Sequence, residues 1–462
     1  MRLPIRLAVV AALCATSCLN SVRAAEDTAA DEKMLRAIYT AALTNGPAHG
    51  HLRELTTQYP GRLAGSKNLA GAVQWGEALL KATGADRTEL QPALVPHWER
   101  GAKECVSVIS PHNDHIALAA VALGGSVPTP VGGLRAQVVE LQSLDALKTT
   151  DVKGKIVFFN RPMNPAYINP GLSYRDAGDQ RNQGPGEAAK FGAVGALVRS
   201  LTHAHDDVPH TGNTTYPPVG PKIPAAALST IAADQLSAAL KADATLQVSM
   251  QIHSRWLEDA PSYNVIGELR GSEHPAQIIV VGGHLDSWDI APGAHDDGSG
   301  IVQSIEVLRL FKAVGYQPRH TLRVVLFTNE ENGTRGATAY STAAQEKKEQ
   351  HLFALETDSG GFQPRGFNLG NPAGTAAKRA SRWRALFEPY GITSFSDGAG
   401  GTDVNPLLAQ GVTVAGLTPE SQRYFDIHHT TEDSIDKVNP RELELGAAAM
   451  ASLIYLVDQY GL

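Results

Sequence analysis

Cysteine is scarce in this sequence, with three in 462 residues. Two of them, Cys14 and Cys18, fall in an N-terminal stretch where Arg2 and Arg6 precede an apolar run from Leu7 to Ala15. That stretch (residues 1–24) reads as a signal peptide ending at Val22-Arg23-Ala24, which implies export to the periplasm or beyond. Its apolar run is shorter than the ~20 residues a membrane span needs, so a transmembrane anchor is disfavoured. A lipoprotein is a minor alternative, because Ala15-Thr16-Ser17 before Cys18 resembles a lipidation box only loosely. Cleavage after Ala24 leaves Cys105 alone and excludes an intrachain disulfide in the mature chain. Cys105 is expected to be a buried small hydrophobe, since nothing beside it marks a catalytic thiol.

Positive charge is also short. The formal net charge is -7, and no long basic tract or aromatic stacking pattern is present, which argues against nucleic acid as a partner. No Gly-x-Ser-x-Gly elbow accompanies a plausible triad, so a serine hydrolase is poorly supported. What is there is ordinary: 43% apolar residues and a length that suits two domains.

The texture of the chain changes twice. Helices are expected from Asp31 to Leu43 and from Ser66 to Ala82, with a turn at Tyr59-Pro60-Gly61 between them and a strand from Cys105 to Ile109. Between about 115 and 250 helical periods become scarce. Short apolar runs appear at Leu134 to Val139, Lys155 to Phe159 and Ala193 to Arg199, while Asn164 to Gly186 reads as loop. From Tyr263 onward strands and helices alternate. Strands are expected at Asn264 to Leu269, Gln277 to Gly282, Thr321 to Thr328, Leu352 to Glu356 and Val412 to Leu417. Helices are expected at Ser299 to Val314, Tyr340 to Glu349 and Thr375 to Glu388. A last helix opens with Asn439 as cap, Pro440 in the first position and Glu442 as capping-box partner, and runs to Tyr460. The fold class is therefore α/β: a mixed central sheet flanked by helices, with a β-rich segment inserted. Residues 25–120 and 251–462 would form one catalytic domain, and 121–250 the insert.

The chemistry sits at strand ends. His284 closes one strand and Asp286 follows it. Gly293-Ala294-His295-Asp296-Asp297-Gly298 then opens the helix at Ser299. The next strands end in Asn329-Glu330-Glu331-Asn332-Gly333 and Glu356-Thr357-Asp358-Ser359-Gly360, and His428-His429-Thr430-Thr431-Glu432-Asp433 follows far downstream. An open α/β sheet binds ligands at the carboxyl ends of its strands. Imidazole nitrogen and carboxylate oxygen are zinc donors, and acidic pairs at the ends of apolar strands are costly unless a cation neutralises them. Two metals about 3.5–4 Å apart, bridged by a carboxylate, account for so many donors. The adjacent Glu330 and Glu331 suit a division in which one ligates and the other serves as base.

Taken together, His-x-Asp-Ser, Gly-Ala-x-Asp-Asp-Gly-Ser-Gly, Asn-Glu-Glu-x-Gly and His-Thr-x-x-Asp resemble the co-catalytic zinc aminopeptidase family of clan MH. That family includes bacterial leucyl aminopeptidase and glutamate carboxypeptidase II, and the resemblance runs over nearly all of the mature chain. It implies two Zn(2+) ions per subunit. Asp296 would bridge them, His284 and Asp358 would complete one site, and Glu331 and His429 the other. His428 competes with His429 for that role, and the spacing to Thr430 and Asp433 favours His429. Glu330 would take the proton of the attacking water and return it to the leaving amine. Asp286 would orient a ligand histidine. Asp433 would act similarly near His429 or cap the next segment. Tyr424 is a candidate hydrogen-bond donor to the oxyanion, and His295 a pocket-lining residue.

Gly398-Ala399-Gly400-Gly401-Thr402-Asp403 resembles the family's glycine-rich substrate loop. The cluster His203, His205, Asp206, Asp207 and His210 reads as a solvated loop rather than a metal site. Gly154-Lys155-Ile156-Val157-Phe158 and Ala188-Ala189-Lys190-Phe191-Gly192-Ala193 give the insert the look of a protease-associated domain. The insert and the last helix are the expected surfaces of a possible homodimer. The activity implied is hydrolysis of the bond next to the free N-terminus of short peptides or dipeptides. The alternative is a metal-dependent carboxypeptidase or amidohydrolase, which a carboxylate-recognising basic residue in the pocket would favour.

Overall fold

Residues 28–109 and 115–462 are described by a computed structural model; the expected signal peptide, with Cys14 and Cys18, lies outside the described residues. The apolar strand His320–Phe327 is buried at every position after the first, as a strand covered on both faces must be. It belongs to an eight-stranded sheet ordered Arg87–Val95, Ala260–Leu269, His320–Phe327, His274–His284, Gln350–Glu356, Thr413–Pro419, Pro364–Gly370, Ser394–Asp397. The four strands from His320–Phe327 to Thr413–Pro419 are parallel. Antiparallel pairs attach the strands on either side of that quartet. The register sets His284 against Phe327 and Gly282 against Glu356, so the ligand-bearing loops leave one edge nearly level.

Helix Ser299–Ala313 is buried on almost every side, because the sheet, helix Ala48–Gln58 and helix Pro440–Tyr460 enclose it in one apolar core. Local signals set the helix ends. Ser66 accepts the N–H of Leu69 at the start of Lys67–Thr83, and Gly84 ends that helix at φ 91°, a left-handed conformation that favours glycine. Asn439 caps Pro440–Tyr460 through the N–H groups of Arg441 and Glu442. Glu442 does not close a capping box; its carboxylate turns to Arg423 at 3.2 Å. The first helix covers 28–45.

A second eight-stranded sheet is ordered His115–Leu118, Cys105–Ile109, Gln247–Gln251, Leu134–Leu141, Ile156–Phe159, Gly195–Arg199, Ala225–Leu228, Ala120–Ala122. Separate apolar clusters cover its faces, and helix Thr230–Ala242 packs into one of them. This sheet starts before residue 121, with Cys105–Ile109 as an internal strand. Its centre is parallel. Cys105 is exposed, not buried, because it opens its strand at the rim of a surface cavity shared with Lys103 and Ala117.

The stretch expected as loop after Asn164 is partly helical: Pro170–Ala177, Asp179–Asn182 and Gly184–Lys190. Asn169 caps the first of these, ahead of Pro170, a start signal that the surrounding glycines and polar residues obscure. The expected helix from Thr375 to Glu388 breaks into Ala376–Ala380, a tighter turn at Ser381–Trp383, and Arg384–Phe387. That change of pitch brings Ala380, Trp383 and Phe387 all onto the core. Among the described residues no helix is long and apolar enough to cross a membrane.

Candidate active site

The loops at the parallel edge bring two donor groups together. His284, Asp296 and Asp358 place ligand atoms within 4.8 Å of one another, and so do Asp296, His428 and His429. His284 Nε2 lies 3.2 Å from Asp296 Oδ1 and 3.6 Å from Asp358 Oδ1. His429 Nε2 lies 3.2 Å from Asp296 Oδ2 and 3.3 Å from Glu331 Oε2. His428 Nε2 approaches the same Asp296 oxygen at 3.4 Å, and the two imidazoles stack at 3.5 Å. Thus Asp296 presents one oxygen to each group. Its Oδ2, and Oε1 of Glu331, are buried without a hydrogen-bond partner. Imidazole and carboxylate donors converging around partnerless buried oxygens are what a pair of zinc ions satisfies.

Backbone anchors hold the donors. Nδ1 of His284 donates to the backbone carbonyl of Asp286 at 3.0 Å, leaving Nε2 free for a metal. The Asp286 carboxylate is 3.8 Å from that nitrogen and turns instead to the N–H groups of Glu330 at 3.0 Å and Glu331 at 3.3 Å. The expected orientation of the histidine is therefore done by the Asp286 carbonyl, while its side chain pins the acidic pair. Asp297 accepts the N–H groups of His284 and Gly300 at 3.0 Å each. Asp433 accepts those of His295 and Asp296, so it holds the backbone of the shared carboxylate rather than His429.

Arg62, fully buried, fastens the loop between His284 and Asp296. Its Nε, Nη1 and Nη2 donate to the carbonyls of Leu285, Pro292 and Gly293 at 2.6, 2.7 and 2.8 Å. Gly293 stands at φ 67°, and a Cβ there would meet Ser287 and the Arg62 guanidinium. Nothing in the linear sequence marks Arg62 or Asp297 for these tasks; each is found only through the fold.

So many acids in one buried place resist ionisation. Burial, then Asp358 and Glu331, pushes Glu330 up to about 8. Burial, then Asp296, pushes Glu331 up to about 7. Asp433 rises to about 7 through burial and Asp296. For Asp296 burial is outweighed by the His284 and His429 imidazoles, and its carboxyl is held well below the usual range.

The site opens into a cavity of about 370 Å³ lined by Asp296, Glu330, Glu331, Asp358, Tyr424, His428 and His429 on one side, and by Tyr174, Arg181, Asn182, Asn213 and Thr215 on the other. The second group comes from the helices and loops of the second sheet. Arg181 is 6% exposed. Its nearest partners are neutral, Asn182 Oδ1 at 3.3 Å and the Thr211 carbonyl at 3.4 Å, with its guanidinium over the Tyr174 ring. Among the described residues no carboxylate pairs with it.

Other expected residues fall elsewhere. His295 does not line the cavity; it is buried, stacked on Phe362 at 4.2 Å, and its Nδ1 accepts the N–H of Gly361. The Gly398–Asp403 loop is not on the cavity wall either. The N–H groups of its Asp403 and of the following Val404 bind Glu356 at 2.9 and 2.8 Å, behind the strand end. His203, His205 and Asp207 are exposed, with His205 paired to Asp234 and Asp207 accepting from Ser229. His210 departs from that cluster: it is buried, pushed down to about 3 by burial, and its Nδ1 donates to the His428 carbonyl at 2.8 Å.

Residues 264–454 match Peptidase family M28. Carboxypeptidase Q of Xenopus laevis is 37% identical over 399 residues, 86% of this chain and 82% of that protein. Human carboxypeptidase Q is 35% identical over 400 residues, with the same coverage. The solved structure of a peptidase M28 precursor from Shewanella amazonensis SB2B superposes with a TM-score of 0.88 at 33% identity, over 93% of this chain and 96% of that one. A zinc aminopeptidase from Bacillus subtilis shares the fold, with a TM-score of 0.64 at 20% identity over 88% of this chain and 94% of that one. Fold and donor groups define a zinc-dependent metallopeptidase with a two-zinc centre. More particularly, the chain belongs to peptidase family M28.

Proposed function

We propose that the enzyme is an exopeptidase for short unblocked peptides, dipeptides foremost, that frees the residue carrying the terminal carboxylate. The observation that carries this reading is Arg181, a buried guanidinium on the cavity wall whose partners are neutral. A buried cation facing a cavity without a counter-charge favours an anionic ligand, and the terminal carboxylate of a peptide is the anion at hand. The cavity volume suits a dipeptide rather than a long chain. The name of the carboxypeptidase Q relatives points the same way. For a dipeptide, aminopeptidase and carboxypeptidase describe cleavage of one bond.

In this reading His284 and Asp358 would hold one zinc ion, Glu331 and His429 the other, and Asp296 would be shared between them. Two zinc ions, when bound, polarise the scissile carbonyl and acidify the attacking water. Glu330, on the cavity wall and not needed as a ligand, takes the water's proton and passes it to the leaving amine. The phenol of Tyr424 is pushed up by burial and by Asp296, so it stays protonated and donates to the developing oxyanion. Asp286 keeps Glu330 and Glu331 in register. The second sheet, read as an inserted protease-associated-like domain, supplies the wall that recognises the substrate; the place of Tyr174, Arg181 and Thr215 in that wall supports this.

The test is hydrolysis of matched free, N-acetylated and C-amidated peptides of two to five residues by the zinc-loaded enzyme and its Arg181→Met variant. Amidation should raise KM strongly in the wild type and little in the variant. Equal cleavage of free and amidated peptides by both proteins would overturn the reading and leave an aminopeptidase.

A further inference from the structure

Thr211 stands between Arg181 and His429. It is fully buried. Its carbonyl accepts from Arg181 Nη1 at 3.4 Å and from His429 Nδ1 at 3.3 Å. Its N–H donates to the His429 carbonyl at 3.1 Å, where His429 adopts φ 62°, a conformation that a non-glycine residue holds only when its surroundings enforce it. Its hydroxyl donates to the Ala122 carbonyl at 2.9 Å and receives Arg100 Nη2 at 3.4 Å. Arg100 grips Asp289 through two bonds of 2.7 Å, in the loop that Arg62 fastens. One residue of the second sheet's loops is thus bonded to the substrate-facing guanidinium and to a histidine of the metal site, and is itself anchored on the side away from both.

We infer that Thr211 is a positioning residue through which a carboxylate bound at Arg181 acts on the zinc ligand His429; this rests on the roles given to both residues above. A carbonyl oxygen has two lone pairs, and here both are drawn on by donors at distances longer than the usual ~2.9 Å. The guanidinium competes with the imidazole for the electron density of that oxygen. A substrate carboxylate neutralises the guanidinium and draws it towards the cavity, and the oxygen is then left to Nδ1–H of His429. A stronger bond at Nδ1 fixes the ring and makes Nε2 a better donor to zinc. The metal site therefore tightens when a substrate with a free carboxylate is in place.

The test uses the full chain loaded with cobalt(II), whose visible absorption reports its ligands, and propionate as the carboxylate probe. In the wild type, saturating propionate should shift the cobalt bands and raise cobalt affinity by about threefold, as linkage between two sites requires. Thr211→Val keeps the side-chain shape and removes the hydroxyl anchor. It should weaken cobalt binding about tenfold, keep propionate inhibition of dipeptide cleavage within about threefold, and diminish the spectral shift, because the carbonyl remains but loses its fixed placement. Thr211→Ser, which restores the hydroxyl, should restore the shift. A shift of wild-type size in Thr211→Val means that the placement of this carbonyl does not couple the two sites, and a shift that persists in Arg181→Met means that propionate acts on the metal directly; either overturns the inference. An absence of any shift in the wild type overturns it without recourse to a variant. Each of these failures leaves the Arg181 reading standing if Arg181→Met weakens propionate inhibition; unchanged inhibition in Arg181→Met removes that reading as well.

Discussion

Asp433 accepts the backbone N–H of Asp296 at 3.1 Å across 137 residues of chain, together with that of His295 at 2.7 Å. The shared carboxylate of the metal site therefore hangs from a backbone held by a second acid. Asp433→Asn keeps one acceptor and the volume. We expect it to fold and to bind zinc about 10–100-fold more weakly, the usual cost of losing a partner behind a ligand. Competition with a chromogenic chelator measures this. Wild-type zinc affinity in Asp433→Asn would show that the backbone of Asp296 needs no such support.

The acids of the metal-free site make its stability depend on pH. Burial and neighbouring carboxylates raise Glu330 and Glu356 to about 8 and Glu331 to about 7, from an ordinary value of 4.5. Between these limits the folded chain holds protons that the unfolded chain has released, so the stability of the metal-free protein falls as pH rises through that window. Zinc bound at Glu331 and its neighbours would supply the positive charge that those protons supply in the metal-free protein. The gap in Tm between zinc-loaded and metal-free protein should widen from about pH 5 to about pH 8. Scanning calorimetry across that range decides the matter, and a constant or narrowing gap would contradict it.

Arg62 joins three carbonyls of the buried loop; that of Gly293 also accepts the N–H of Gly298 at 3.1 Å, while Arg62 is the donor for those of Leu285 and Pro292. Arg62→Met would strand them, at a cost of about 3 kcal/mol or more. Arg62→Lys keeps the charge, but one ammonium lacks the planar fork that meets three fixed oxygens, so it should recover only part of the loss. Urea denaturation of both variants with zinc bound would show the order wild type, Lys, Met. Equal stability of Lys and wild type would mean that charge alone matters here.

Glu330→Gln removes the base and leaves the five proposed ligands. We expect kcat for a dipeptide to fall about 10²–10⁴-fold with two zinc ions still bound, measured by metal analysis of the same preparation. Loss of a zinc ion in Glu330→Gln would instead make Glu330 a ligand and return the base role to another group.

The residues proposed for the site were legible because they cluster at or after strands at the edge where α/β sheets bind ligands, which makes His284, Asp296, Glu330, Glu331 and Asp358 conspicuous in the linear chain. Their supports were not. Arg62 meets Gly293 across 231 residues and His210 meets His428 across 218, and no spacing rule reaches that far. Asp286 shows the limit within a readable motif: its proximity to His284 was plain, but which of its groups faces the ring is settled by the turn that aims the carboxylate at Glu330. The helices after Asn169 failed to stand out because pieces of 4–8 residues carry too few turns for a period to show.

The contacts of Thr211 also bear on how this chain can be taken apart. In the reading proposed above the second sheet supplies the substrate wall, and its loop also holds the backbone of His429 and faces its ring. On that reading a truncated enzyme without residues 105–251 would be more than indiscriminate towards substrate; the proposed ligand His429 would be loosened as well. Grafting that segment from a relative would transplant catalytic competence along with selectivity, so chimaeras of this architecture succeed or fail at the 210–211 junction before any substrate is offered.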